Sequence, residues 1–102
     1  MKVEGIVIVT ADWEKGSHYA VQVCEAVSKA KNIPLENKKE DYDILIGYGE
    51  KDEFGGVDIP QVFLKFNDGT MKHVMTRVPL NERGMPDIEK GIKILSEAIE
   101  KA

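Results

Sequence analysis

The fold is read from Val3-Glu4-Gly5-Ile6-Val7-Ile8-Val9-Thr10-Ala11-Asp12-Trp13-Glu14-Lys15-Gly16-Ser17-His18. Ile6 to Val9 are all β-branched or aliphatic and show no polar alternation. A strand covered on both faces, as in an open α/β sheet, has this pattern. The apolar run stops at Thr10. Asp12 or Ser17 is then placed to cap a helix. Within that helix Ala20, Val23, Cys24, Val27 and Ala30 recur on one face, and Gln22, Glu25, Ser28 and Lys29 take the other. Asn32 is the expected stop. Ile33-Pro34-Leu35 reads as a second strand, with Pro34 favouring its start or a sheet edge.

Residues 38 to 54 support two readings. Tyr42-Asp43-Ile44-Leu45-Ile46-Gly47-Tyr48 has the composition of a strand, and Gly47 and Gly49 weaken a helix. The count of residues to the next apolar run favours a short helix. Gly55-Gly56 marks a turn. Gln61-Val62-Phe63-Leu64-Lys65-Phe66 and the segment Thr70 to Met75 flank Asn67-Asp68-Gly69. Asp-Gly between apolar runs predicts a hairpin, because its tight turn needs positive φ. Val78 to Met85 reads as a loop. Pro86 suits the first turn of a last helix, with Asp87 and Glu89 at its positive end. Ile88, Ile92, Leu95 and Ile99 form that helix's packing stripe. The order is β-α-β-(α)-β-β-α. The expected fold is α/β, a mixed sheet of about four strands with helices on both faces, over residues 1–102 as one domain.

Composition narrows the function classes. The 102 residues are 42% hydrophobic and 31% charged, which fits a single packed core rather than bulk disorder. A net charge of −4 disfavours a nucleic-acid partner, which requires a basic face. The one cysteine, Cys24, has no internal disulfide partner, and this fits a reducing compartment. The N-terminal residues show no signal pattern, and the longest apolar run is too short to cross a bilayer. The expectation is a cytoplasmic protein that does not engage membranes.

Two segments carry a family resemblance. Ala11-Asp12-Trp13 leading into a helix, and Gly56-Val57-Asp58-Ile59-Pro60-Gln61-Val62-Phe63 opening the hairpin, together resemble the thioredoxin and glutaredoxin superfamily. The layout match covers nearly the whole chain. The resemblance implies a thioredoxin-like fold with a cis bond at Ile59-Pro60, against the ordinary trans proline that merely opens a strand. It also implies that the proline loop lies against the helix start and binds an extended peptide or glutathione through the backbone. The family's Cys-x-x-Cys positions here read Glu14 and Ser17. Disulfide exchange needs an attacking thiolate and a leaving sulfur, and neither residue supplies one. Both are expected first as helix-capping groups. The functional reading gives Glu14 a fixed negative charge where a thiolate would sit, favoured there by about 0.3–1 kcal/mol from the helix dipole.

The other candidates are weaker. Cys24 falls on the inward helix face, where a free cysteine acts as a small hydrophobe, so it is a reactive thiol only if that burial fails. Trp13 is read as a binding-surface aromatic. Ser17 and His18 are adjacent on a helix and point about 100° apart, which defeats a nucleophile–base pair. His73 is assigned to a half-buried strand face with Met71 and Met75. The two histidines have no metal-ligand spacing, so no metal is expected. Asp41, Asp43, Glu50, Asp52 and Glu53 lack a calcium-loop pattern and read as solvated. Gly47-x-Gly49 opens no phosphate cradle.

The preferred expectation is a redox-inactive domain, not an enzyme. It binds a protein or peptide segment in a groove formed by Trp13, Glu14, Ser17, Ile59 and Pro60, with no cofactor. The first alternative is a thiol–disulfide oxidoreductase or glutathione-dependent enzyme, working through Cys24 or through Ser17 at the helix start. The second is a structural or dimerising subunit that uses a sheet edge.

Overall fold

A computed structural model describes residues 2–102. The elements run β1 (Val3–Thr10), α1 (Gly16–Lys31), β2 (Leu35–Lys39), α2 (Tyr42–Tyr48), β3 (Gln61–Phe66), β4 (Met71–Thr76) and α3 (Ile88–Lys101). They build one four-stranded mixed sheet in the order β2-β1-β3-β4. β1 pairs with β2 in parallel, and with β3 in antiparallel register. The hairpin β3–β4 closes the other side.

The polar-free run in β1 is explained by two cores. Ile6 and Ile8 face α1 and α3, where they meet Ala20, Val23, Val62, Leu64 and Leu95. Val7 and Val9 face the opposite side, where Leu45 of α2, Phe63 and Ile59 cover them. Each such fully buried aliphatic side chain contributes roughly 1.5–3 kcal/mol relative to exposure.

Residues 42–48 are the helix α2. Composition pointed to a strand because Ile44, Leu45 and Ile46 are consecutive. In a helix these three spread round the axis. Leu45 is buried, Ile44 is half-buried, and Ile46 points to solvent. The Asp41 carboxylate caps the helix by accepting from the Ile44 amide at 3.1 Å, and Gly49 closes it by donating to the Leu45 carbonyl at 2.9 Å. A Cβ on Gly49 would lie 2.5 Å from that carbonyl oxygen, so the residue that weakened the helix reading is the one its exit requires.

Other boundaries shift. β2 begins at Leu35, so Ile33 and Pro34 lead into the strand, which does lie at a sheet edge. Ala30 is exposed, outside the α1 packing face. Asn32 ends α1 in the left-handed region with φ of 54°. Pro86 precedes α3, and Asp87 is its N-cap, accepting from the Lys90 amide at 3.0 Å. A register shift between Val62 and Phe63 inserts Val74 as an extra residue in β4. His73 therefore meets the Phe63 ring on the α2 side, while Met75 joins the core under α1 and α3, so His73 and Met75 do not share a face. Among the described residues no helix is long and apolar enough to cross a membrane.

Candidate functional site

The site is built where β1 ends, α1 starts and β3 begins. Ala11 is buried at the end of β1, and its N–H donates to the Ser17 hydroxyl at 3.1 Å. Ser17 thus lies inside the first turn of α1 and ties the helix back to the strand. It is not the N-cap. That position is Lys15, whose side chain makes no capping bond. Asp12 does not cap either, because its carboxylate pairs with Lys39 Nζ at 2.8 Å in solvent.

Glu14 performs the capping. Its Oε1 accepts from the Gly16 amide at 2.9 Å, and its carbonyl accepts from the Ser17 amide at 3.0 Å. The Lys15 carbonyl takes the His18 amide at 3.3 Å. The first amides of α1, the donors that a helix normally offers to an anion, are all engaged within the chain.

The Ile59–Pro60 peptide bond is cis. Pro60 lies against the helix start: a Cβ built on Gly16 would sit 3.6 Å from Pro60 Cδ and 3.3 Å from Glu14 Oε1. The structure therefore brings Glu14, Ser17 and Pro60 together. Ile59 differs from expectation. Its side chain is buried in the α2-side core, and Pro60 beside it is buried as well. Neither the Ile59 N–H nor its carbonyl has a hydrogen-bond partner among the described residues. Asp58 and Arg77 bracket this dipeptide: Arg77 Nη2 lies 3.4 Å from Asp58 Oδ1, and the Arg77 amide donates to the Pro60 carbonyl at 2.9 Å.

Trp13 is held elsewhere. It is 64% exposed, and its indole Nε1 donates to Glu40 Oε1 at 3.2 Å. Glu40 sits at the end of β2 in the left-handed region with φ of 49°, anchored by its amide to the Thr10 carbonyl at 2.7 Å. The Tyr42 hydroxyl also donates to Glu40 Oε1, at 3.4 Å.

Cys24 is fully buried in the α1–α3 core. Burial, with a smaller push from the Glu25 carboxylate, raises its thiol pKa to about 12. His73 is half-buried, and desolvation lowers its pKa against a weaker opposing pull from Glu50. His18 pairs with Gln22 at 2.8 Å and not with Ser17. Asp52 turns the loop before β3 by accepting from the Phe54 and Gly56 amides.

Gln61 is the residue that sequence reasoning missed. It is buried, yet its amide is fully used. Oε1 accepts from the Glu50 amide at 2.9 Å, and Nε2 donates to the Glu50 and Asp58 carbonyls at 3.0 Å each. It therefore fastens both ends of the loop that leads into Ile59–Pro60. The readable signal was a glutamine starting an otherwise apolar strand, since a buried amide must find partners. The chain matches no protein-family profile, no curated protein and no solved structure.

Proposed function

We propose that this chain is a thioredoxin-like domain without redox cysteines that acts as a non-catalytic binding module. A protein or peptide segment lies extended along the Ile59 backbone, whose N–H and carbonyl are unpaired among the described residues, beside Glu14, Ser17 and the Trp13 loop. The observation that carries this reading is the filled helix start. Glu14 places its own carboxylate on the Gly16 amide, where the superfamily's chemistry requires a thiolate. An extended segment needs only backbone donors and acceptors, and Ile59 supplies one of each. Cys24 gives no support to exchange chemistry, because a buried thiol with a pKa near 12 is neither ionised nor reachable at neutral pH.

One observation favours a second reading. Ser17 accepts from Ala11, so its own O–H proton remains to donate, and glutathione could be activated there without a protein thiol. Disulfide reduction, driven by dithiothreitol and separately by glutathione, decides between them. The wild-type chain, Cys24→Ser and Ser17→Ala are all expected to show no rate above the uncatalysed background. A glutathione-driven rate lost in Ser17→Ala would replace the binding reading with the enzymatic one. A rate lost in Cys24→Ser would make the chain a single-cysteine oxidoreductase.

A further inference from the structure

The charge of this chain is unevenly placed. Residues 40–58 hold seven acids and one lysine, a net −6, so the rest of the −4 chain carries +2. The same stretch holds Tyr42, Ile46, Tyr48 and Phe54, four of the seven large apolar side chains that the structure exposes. Trp13 is a fifth, tied to this region through Glu40. Tyr42 and Ile46 stand four residues apart on α2, so they lie side by side on one helix face. That face is turned away from the sheet, since Leu45 supplies the buried contact. An apolar stripe of Trp13, Tyr42 and Ile46 thus lies among carboxylates, with Glu40 fixing its two aromatic members.

Arg77 offsets only Asp58, at the end of that stretch next to β3. Lys39 is paired with Asp12, and Lys38 with Glu36 at 3.3 Å. Asp43 is exposed and has no ion-pair or hydrogen-bond partner among the described residues. A surface that is both apolar and negative suits one occupant better than others. A second copy would bring the same −6 region against itself, and nucleic acid or an anionic membrane carries the wrong sign.

We propose that the outer face of α2, with Trp13 and Glu40, docks a basic amphipathic segment of a partner protein. Its apolar side chains would cover Tyr42 and Ile46, and its Lys or Arg residues would lie against Trp13, Glu40 and Asp43. An Arg there gains both a carboxylate and an aromatic face. The inference rests on the binding reading and gives that partner its chemistry.

The test is a titration with three synthetic peptides of one length. The first carries Lys and Arg on one helical face and Leu and Phe on the other. The second replaces each Lys and Arg with Glu. The third scrambles the first. Trp13, the only tryptophan, reports by fluorescence, and calorimetry gives the affinity independently. The basic peptide is expected to saturate and shift the emission. Its affinity should fall about fivefold or more in each of Ile46→Ser and Asp43→Asn, and about tenfold or more from low to high salt. Both substitutions are at exposed positions, so unchanged thermal unfolding of each variant verifies the fold. Equal binding of the acidic or scrambled peptide overturns the proposal, as does binding untouched by both variants or no binding at all. Self-association that Ile46→Ser abolishes would assign the face to a second copy and likewise overturn it. Catalysed disulfide reduction would defeat the binding reading of the Ile59 groove. Failure of the peptide titration alone, with no catalysis, would defeat only this inference.

Discussion

Replacing Gln61 with Leu keeps nearly the same volume in a buried place and removes three hydrogen bonds. Each such bond contributes about 0.5–1.5 kcal/mol net, so the loss is roughly 1.5–4.5 kcal/mol, with about 3 as the central value. The freed partners are backbone groups of Glu50 and Asp58 in a loop. Water reaches that loop more readily than the strand, which argues against the upper end. For a domain of this size about 3 kcal/mol lowers the melting temperature by roughly 12–24 °C. Thermal and urea unfolding measure the loss, and hydrogen exchange at the Glu50 amide locates it. Gln61→Glu sharpens the test, since a carboxylate placed against two carbonyls is held protonated. Its pKa is raised in the folded state, so the variant is at its most stable below the unfolded carboxyl value near 4.3 and loses stability as pH rises through the raised one. A Leu variant within about 0.5 kcal/mol of wild type, with Glu50 amide protection unchanged, would refute the role given to Gln61.

Three further outcomes follow from single features. Gly91→Ala sets helix propensity, worth up to about 1 kcal/mol, against a Cβ that would stand 2.8 Å from Val23 Cγ2. Overpacking a stiff side chain costs about 1–3 kcal/mol, so urea unfolding should show net destabilisation, relieved when Val23→Ala is combined with it. Cys24 should resist thiol-labelling reagents in the native protein at pH 8 and react fully in denaturant; rapid native labelling would contradict its burial. His73 has a lowered folded pKa, so its contribution is whole above the unfolded value near 6.5 and is lost as pH falls below it. A His73→Gln variant should flatten that part of the stability–pH curve, and an unchanged curve would clear His73 of the effect.

The sequence was most legible where periodicity and turn chemistry agree. Ile6 to Val9 announced a strand covered twice, Asp68-Gly69 announced the hairpin, and Ile88, Ile92, Leu95 and Ile99 announced the last helix. It was least legible where a tertiary contact overrides a local preference. Three consecutive aliphatics around Leu45 resemble a strand until the Asp41 cap and the tight Gly49 exit are seen. The bulge at Val74, which separates His73 from Met75, depends on pairing that a single strand does not display. At the site, Glu14 and Ser17 were both placed at the helix start, but their roles divide. Glu14 caps, while Ser17 anchors the strand end. Ile59 could be located by its proline, whereas the inward turn of its side chain follows from packing against Val7, Val9 and Phe63.

The two rims of the sheet also bear on how this molecule tolerates company. On one rim, β2 is only five residues long and exposes Glu36, Asn37, Lys38 and Lys39 in succession. An incoming strand would have to strip water from that charged row and break the Glu36 pairs with Lys38 and Lys65. On the other rim, the bulge at Val74 interrupts the even spacing of donors and acceptors along β4. Both borders oppose the addition of a further strand, and crowding of this chain against itself is expected not to seed fibrous growth through its edges.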